Sequence, residues 1–167
     1  MAGTLYVVGT PIGNLSGFSP RAIQTLQEVD FIAAEDTRVT QKLLSYFQIK
    51  KPMISYYQHN LRERGEEILA RIESGENCAI VTDAGMTCIS DPGEDLVSLC
   101  AERNIRTIVI PGPSAAISAL AVSGLSTARF CFEGFLSTNH KNRMEHLRQI
   151  AGDRRTLIFY EAPHKLV

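Results

Sequence analysis

A doubly wound parallel α/β domain, followed by the start of a second α/β domain, is the architecture that this sequence predicts. Two observations carry that expectation. From Leu5 to Ile110, short apolar runs of strand length alternate with stretches whose apolar residues keep helical spacing. One of these runs, Cys78 to Val81, is apolar and partly β-branched without polar alternation, which suits a strand covered on both faces of a parallel sheet.

Leu5 to Val8 form the first expected strand, and the turn Gly9-Thr10-Pro11-Ile12-Gly13-Asn14 leaves it. Pro20 behind Ser19 marks a helix start, because its missing amide and fixed φ suit the first helical position; that helix is expected to run to about Val29. Phe31 to Ala34 make the second strand, ending in Glu35-Asp36-Thr37-Arg38, and a helix follows from about Val39 to Phe47. A third strand spans Met53 to Tyr56. Asn60 is the expected cap of the next helix, in which Leu61, Ile68, Leu69 and Ile72 keep helical spacing up to a stop at Gly75. Cys78 to Val81 then form the central strand, followed by a helix from Glu94 to Arg103 and a fifth strand from Thr107 to Ile110.

Pro111-Gly112-Pro113-Ser114 opens the second unit, so the N-terminal domain is expected over residues 1–112 and the second over 113–167. Ala115 to Val122 read as a helix, Phe130 to Glu133 as a strand, Met144 to Ile150 as a helix and Thr156 to Tyr160 as a strand, with a further helix opening at Pro163. Two strands and about two helices cannot close a sheet around a core of their own. The second domain is therefore expected to be incomplete, and the chain to be cut short.

Composition excludes more than it selects. With 167 residues, 44% apolar and 21% charged, the chain suits one domain or slightly more. No apolar run reaches spanning length, since Thr107 to Leu125 is broken by Pro111, Gly112, Pro113 and three serines, and the N-terminus lacks a secretory pattern. A cytoplasmic location is expected. Cys78, Cys88, Cys100 and Cys131 show no C-x-x-C spacing and no grouping with histidines, so neither a metal site nor a disulfide framework is expected. A net charge of −1 gives no compositional argument for nucleic-acid binding.

Chemistry is expected in CAIVTDAGMTCISDPG, residues 78–93. Asp83 follows the central strand at the sheet edge where ligands gather, and a carboxylate there beside Gly85 can accept hydrogen bonds from ligand hydroxyls. Asp91 reads equally well as a turn and capping residue. The Gly9 to Asn14 turn is a poor phosphate loop, because Pro11 has no amide and no G-x-G-x-x-G is present; a tight turn is its simpler reading. Asp36 or Thr37 can cap the following helix while a neighbouring carboxylate faces the cleft. Tyr56, Gln58, His59, Asn60 and Arg62 follow the third strand on the same edge.

The blocks LYVVGTPIGNL, AEDTR, YYQHN, VTDAGMTCISDPG, PGPSAAISAL, FCFEGF and LIFYEAPHKL, in this order, resemble the ribosomal small-subunit methyltransferase I family, rRNA cytidine 2'-O-methyltransferases of the tetrapyrrole methylase superfamily. The resemblance spans essentially the whole chain. It implies two α/β domains with S-adenosyl-L-methionine in the cleft between them, a homodimer, and small-subunit ribosomal RNA or the assembled small subunit as acceptor. Carried over residue by residue, it puts Ile12, Asp83, Met86, Ser114 and Ala115 around the cofactor, with Tyr160 and Glu161 at the far side of the pocket. Two positions depart from the family pattern, which usually has proline where Thr87 and Ser137 stand here. The first removes a restraint on the loop backbone.

Methyl transfer to a ribose hydroxyl is an in-line displacement, so positioning in a dry cleft matters and an acceptor for the hydroxyl proton helps. Asp36, Glu35 and His59 are the expected acceptors, with Asp36 first. Arg38, Lys42, Arg62 and Arg64 are expected to hold RNA phosphates, whereas Lys141 and Arg143 read as ordinary solvated charges. Two alternatives stand beside this reading: a methyltransferase of the same superfamily acting on a tetrapyrrole or other small acceptor, and a nucleotide-binding module without catalysis.

Overall fold

The computed structural model describes residues 1–165; Leu166, the last residue of the LIFYEAPHKL block, and Val167 lie outside the described residues. Two compact units are present, residues 1–114 and 115–167.

The first unit is a five-stranded parallel sheet. Its strands are β1 (Thr4–Val8), β2 (Phe31–Ala34), β3 (Met53–Ser55), β4 (Cys78–Val81) and β5 (Arg106–Ile110), ordered β3-β2-β4-β1-β5. The run expected to be central is the middle strand. Cys78 stands opposite both Leu5 and Phe31, and all four β4 residues are buried, as an apolar run with both faces covered requires.

Sequence alternation on the strands assigns the two faces. Leu5, Val7, Phe31, Ala33, Cys78 and Ile80 pack with Ile68, Leu69 and Ile72 of α3 (Leu61–Glu73) and with Leu96 and Cys100 of α4 (Gly93–Glu102). Val8, Ile32, Ala34, Ala79 and Val81 pack with Ala22 and Leu26 of α1 (Pro20–Glu28) and Leu44 of α2 (Thr37–Tyr46). Helices before the reversal in strand order thus cover one face and those after it the other. That winding opens a crevice at the carboxyl ends of the central strands.

Helix starts follow local chemistry. Ser19 accepts a hydrogen bond from the Ala22 amide with Pro20 in the first turn, and Asp36 caps α2 through the Arg38 amide. Asn60 is a correction. It occupies the cap position of α3, but its side chain makes no capping bond there; it accepts from the Tyr57 amide and donates to the Ser55 carbonyl, holding the preceding loop. A cap is worth about 1 kcal/mol, whereas each fully buried Leu or Ile contributes about 1.5–3 kcal/mol. Ile68, Leu69 and Ile72 therefore outweigh it in fixing α3.

The second unit holds α5 (Ala115–Val122), β6 (Phe130–Phe135), α6 (His140–Ile150) and β7 (Thr156–Tyr160), and a single 3₁₀ turn replaces the helix expected from Pro163. Its two strands are parallel, with a register shift between Phe132 and Gly134, where Gly134 adopts φ +66°. Two expected bounds move. α6 begins at His140 rather than Met144, because Asn139 accepts a hydrogen bond from the Asn142 amide and sets the start four residues earlier. β6 continues past Glu133 to Phe135, carried across the register shift by Gly134.

Candidate active site

At the carboxyl edge of the first unit's sheet, the loops after β1 and β4 are fastened together. Thr10 and Gly85 exchange backbone hydrogen bonds of 2.9 and 3.1 Å, and the buried Thr10 hydroxyl donates to the Thr82 carbonyl at 3.1 Å. The turn after β1 is thus pinned by its own neighbours. Gly85 has φ +89°, and a Cβ there would lie 3.3 Å from Ile12 Cγ2 and 3.4 Å from the Pro113 carbonyl. Three loops therefore converge on a residue without a side chain, in a positive-φ conformation that glycine adopts without cost.

Asp83 stands exposed at this edge. Partial desolvation, then the nearby Glu35 and Asp36 charges, raise its pKa above the ordinary carboxylate value. Glu35, at the end of β2, accepts a hydrogen bond from the Thr82 hydroxyl, so the ends of β2 and β4 are tied side chain to side chain. Asp36 behaves differently. It caps α2, and the Arg38 guanidinium closes on it with Nε at 3.1 Å and Nη2 at 2.7 Å, which holds its carboxyl down at about 2.

Met86 turns inward within this unit. Its sulfur accepts from the Gly112 amide at 3.2 Å, so its side chain fills the space under Gly112. Asp91 shows the capping chemistry of its simpler reading, accepting from the Cys88 and Gly93 amides at 2.7 Å each. Cys88 has φ +66°, and burial pushes its thiol up to about 12, so it is a packed thiol rather than a nucleophile. Thr87, standing where proline is usual, is buried.

The phosphate candidates separate. Arg64 pairs with Glu67 one turn along at 2.5 Å, while Arg62 and Lys42 are exposed and make no ion pair among the described residues. His59 is exposed, its ring edge-on to Tyr57 at 6.0 Å. Tyr57 in turn borders a cavity of about 360 Å³ lined by Glu35, Asp36, Arg38 and Ser55. Ser114 closes the first unit. In the second unit, the Tyr160 hydroxyl accepts from the Ala116 amide at 3.1 Å, next to Ala115, and Glu161 accepts from the Ala162 amide at 2.8 Å with Lys165 Nζ 3.6 Å away. Arg143 donates to the carbonyls of Ser137 and Thr138, which accounts for it locally.

A second cavity, of about 310 Å³, lies beside Asp83. Val39, Leu43 and Tyr46 wall it from α2, and Pro11 and Leu15 wall it from the loop after β1. Sequence reasoning missed this feature, although positions 39, 43 and 46 share one helical face and Val39 and Tyr46 are left exposed on it.

Known proteins agree with this architecture. A family model of the tetrapyrrole (corrin/porphyrin) methylases matches residues 4–167. The Synechocystis sp. protein named ribosomal RNA small subunit methyltransferase I is 56% identical over 165 residues, 99% of this chain and 59% of its own length. Its namesake in Thermotoga maritima is 48% identical over 99% of this chain and 74% of its own length. The chain thus spans about 59% of several of the curated relatives it matches. Among solved structures, uroporphyrin-III-C-methyltransferase from Thermus thermophilus superposes with a TM-score of 0.61 at 18% identity, covering 81% of this chain and 60% of that one. A diphthine synthase does so at 0.63 with 15% identity, over 96% and 65%. At such identities the likeness shows the fold alone, but the family model covers nearly every residue, and the chain belongs to the tetrapyrrole (corrin/porphyrin) methylase family.

Proposed function

We propose that this chain carries the catalytic edge of an S-adenosyl-L-methionine-dependent methyltransferase that methylates a cytidine ribose 2'-hydroxyl in small-subunit ribosomal RNA. The names of relatives 44–56% identical to it support the substrate class. The observation that carries the chemistry is the gathering of Glu35, Asp36 and Asp83 around the reversal in strand order, beside a loop junction built on Gly85. Bound there, S-adenosyl-L-methionine supplies a methyl group already activated on a sulfonium.

The residues present fit that cofactor. Gly85 keeps the junction of the loops bearing Ile12, Met86 and Pro113 free of a side chain, and Asp83 offers an exposed carboxylate to ligand hydroxyls. Ser114 in the first unit and Ala115, Tyr160 and Glu161 in the second complete the proposed cofactor set. Among the proton acceptors considered, Asp36 is a weak base, since Arg38 holds its carboxyl at about 2. Glu35 fits the role better: its neighbour Thr82 fixes one carboxylate oxygen, and the residue is half-buried. His59 is the reserve acceptor beside Tyr57. Asp36 is then a positioning residue for Arg38, which with Lys42 and Arg62 meets RNA phosphates; Arg64, already paired, contributes less.

The reading extends to a homodimer acting in the cytoplasm on ribosomal RNA or the assembled small subunit. No helix of the described residues is long and apolar enough to cross a membrane. The test is transfer of labelled methyl from S-adenosyl-L-methionine onto small-subunit particles from cells lacking the enzyme. Label at one cytidine ribose is expected. Label only in small-molecule pools would replace RNA by a small acceptor, and no label anywhere would leave a nucleotide-binding module.

A further inference from the structure

We infer that the cavity between α2 and the loop after β1 receives the unstacked base of the acceptor nucleotide, which deepens the RNA reading above and rests on it. A ribose hydroxyl inside a folded RNA is reached most readily where the nucleotide is splayed out, and splayed bases are held by stacking on aromatic and apolar side chains. The cavity measures about 310 Å³, at the small end of the range of about 300–1,000 Å³ for ligand sites. That suits one base and not a tetrapyrrole macrocycle.

Its walls have the matching chemistry. Val39, Leu43 and Tyr46 present one stripe of α2, and Pro11 and Leu15 face them from the loop after β1. Tyr46 is 65% exposed, packing edge-on against Phe47 at 4.9 Å, which leaves a ring free to stack. Val39 and Leu15 are also exposed apolar residues. Their exposure is unexplained by the core, which uses Thr40 and Leu44 of the same helix. Polar groups are few: Asp83 can meet a base edge, and Lys42 brings a cation to the same wall. Asp83 also borders the proposed cofactor position, and a carboxylate has two oxygens to share. Acceptor and methyl donor would thus meet at one residue.

Two variants, with Tyr46→Phe as a control, test this in the full-length protein, all at exposed positions so that the fold is spared. Val39→Trp fills the cavity, and Tyr46→Ala removes the stacking ring. Methylation of small-subunit particles is measured with cofactor affinity by calorimetry and with thermal midpoint as a fold control. Val39→Trp is expected to lower methyl transfer at least a hundred-fold. Tyr46→Ala should raise the RNA KM by about five-fold to a hundred-fold, with Tyr46→Phe restoring it. Cofactor affinity should stay within two-fold in all three. Unchanged RNA kinetics in both variants overturns the inference while the RNA activity of the unaltered protein stands. Parallel loss of cofactor affinity also overturns it, assigning the cavity to the cofactor instead. No transfer by the unaltered protein removes the RNA reading and the base pocket with it.

Discussion

Gly9 and Gly112 meet backbone to backbone: a Cβ on Gly9 would lie 2.7 Å from Gly112 Cα and 2.8 Å from Met86 Sδ, and one on Gly112 would lie 2.8 Å from Gly9 Cα. The contact joins the ends of β1 and β5, where the Gly9 amide also donates to the Ile110 carbonyl at 3.1 Å. It brings two loops of the carboxyl edge closer than any side chain permits. Gly9→Ala forces one backbone away from the other, and overpacking of this kind costs roughly 1–3 kcal/mol. The expected result is a lower denaturant midpoint with an unchanged slope, and wild-type stability would show that the edge can yield without cost.

Tyr56 gives the opposite sign. It is buried at 2% exposure, and its hydroxyl has no hydrogen-bond partner among the described residues, while burial and the Asp95 charge push its pKa up to about 12. A buried donor without a partner costs about 1–3 kcal/mol, so Tyr56→Phe should be stabilising. We expect a gain of about 1 kcal/mol, or about 2–4 °C in thermal midpoint for a protein of this size. A loss instead would mean that a bound water satisfies the hydroxyl.

Much of this fold was legible because its signals are local. The β4 run Cys78 to Val81 has no polar residue, so burial on both faces follows from composition, and Pro20 with Ser19 fixes the start of α1 from two residues. Ends set by side chains were less legible. Asn60 looks like a cap in sequence, yet its amide group serves the loop behind it, and only the fold decides between those partners. At the site, Asp83, Glu35 and Asp36 all stood out as strand-end acids. Their ordering did not: the Arg38 fork that makes Asp36 a weak base is a matter of geometry, as is the Thr82 bond that fixes Glu35. The α2 cavity went unread because Val39, Leu43 and Tyr46 gain meaning only when the distant loop of Pro11 and Leu15 closes over them.

The division of labour between Glu35 and Asp36 can be measured. Asn caps helices about as well as Asp, so Asp36→Asn keeps the cap while releasing Arg38. We expect a modest fall in kcat, under about ten-fold, because the positioned Arg38 is loosened without loss of the base. Glu35→Gln should lower kcat by about a hundred-fold to ten-thousand-fold, the usual worth of a general base. The reverse ranking would restore Asp36 as proton acceptor.

Arg38 itself should act on RNA and not on cofactor. Its side chain is 87% exposed and its partner Asp36 27%, so their pair adds little to stability. Arg38→Ala should leave the thermal midpoint nearly unchanged, raise the RNA KM, and reduce the slope of log affinity against log salt by about one. An unchanged salt slope, measured by RNA binding at several ionic strengths, would remove Arg38 from the phosphate contacts.

Asp83 predicts a pH dependence whose sign can be worked out. Desolvation and its acidic neighbours raise its pKa in the folded protein, so the folded state favours the protonated form. Taken alone, this contributes stability at low pH that is lost as pH rises through the folded pKa, leaving a small cost at neutrality. Cofactor hydroxyls donating to the carboxylate favour the ionised form and so lower the pKa again in the complex. Binding must therefore release a proton between the two values. Affinity should be full above the free protein's pKa, fall as pH drops through it, and level off below the pKa of the complex. Asp83→Asn cannot ionise and keeps only part of the hydrogen bonding, so its affinity should be lower and flat with pH. Calorimetry between about pH 4 and pH 7, in two buffers of different ionisation enthalpy, measures both the affinity and the released proton. An identical pH slope in the unaltered and Asp83→Asn proteins would show that the titrating group lies elsewhere and would take Asp83 out of the cofactor site.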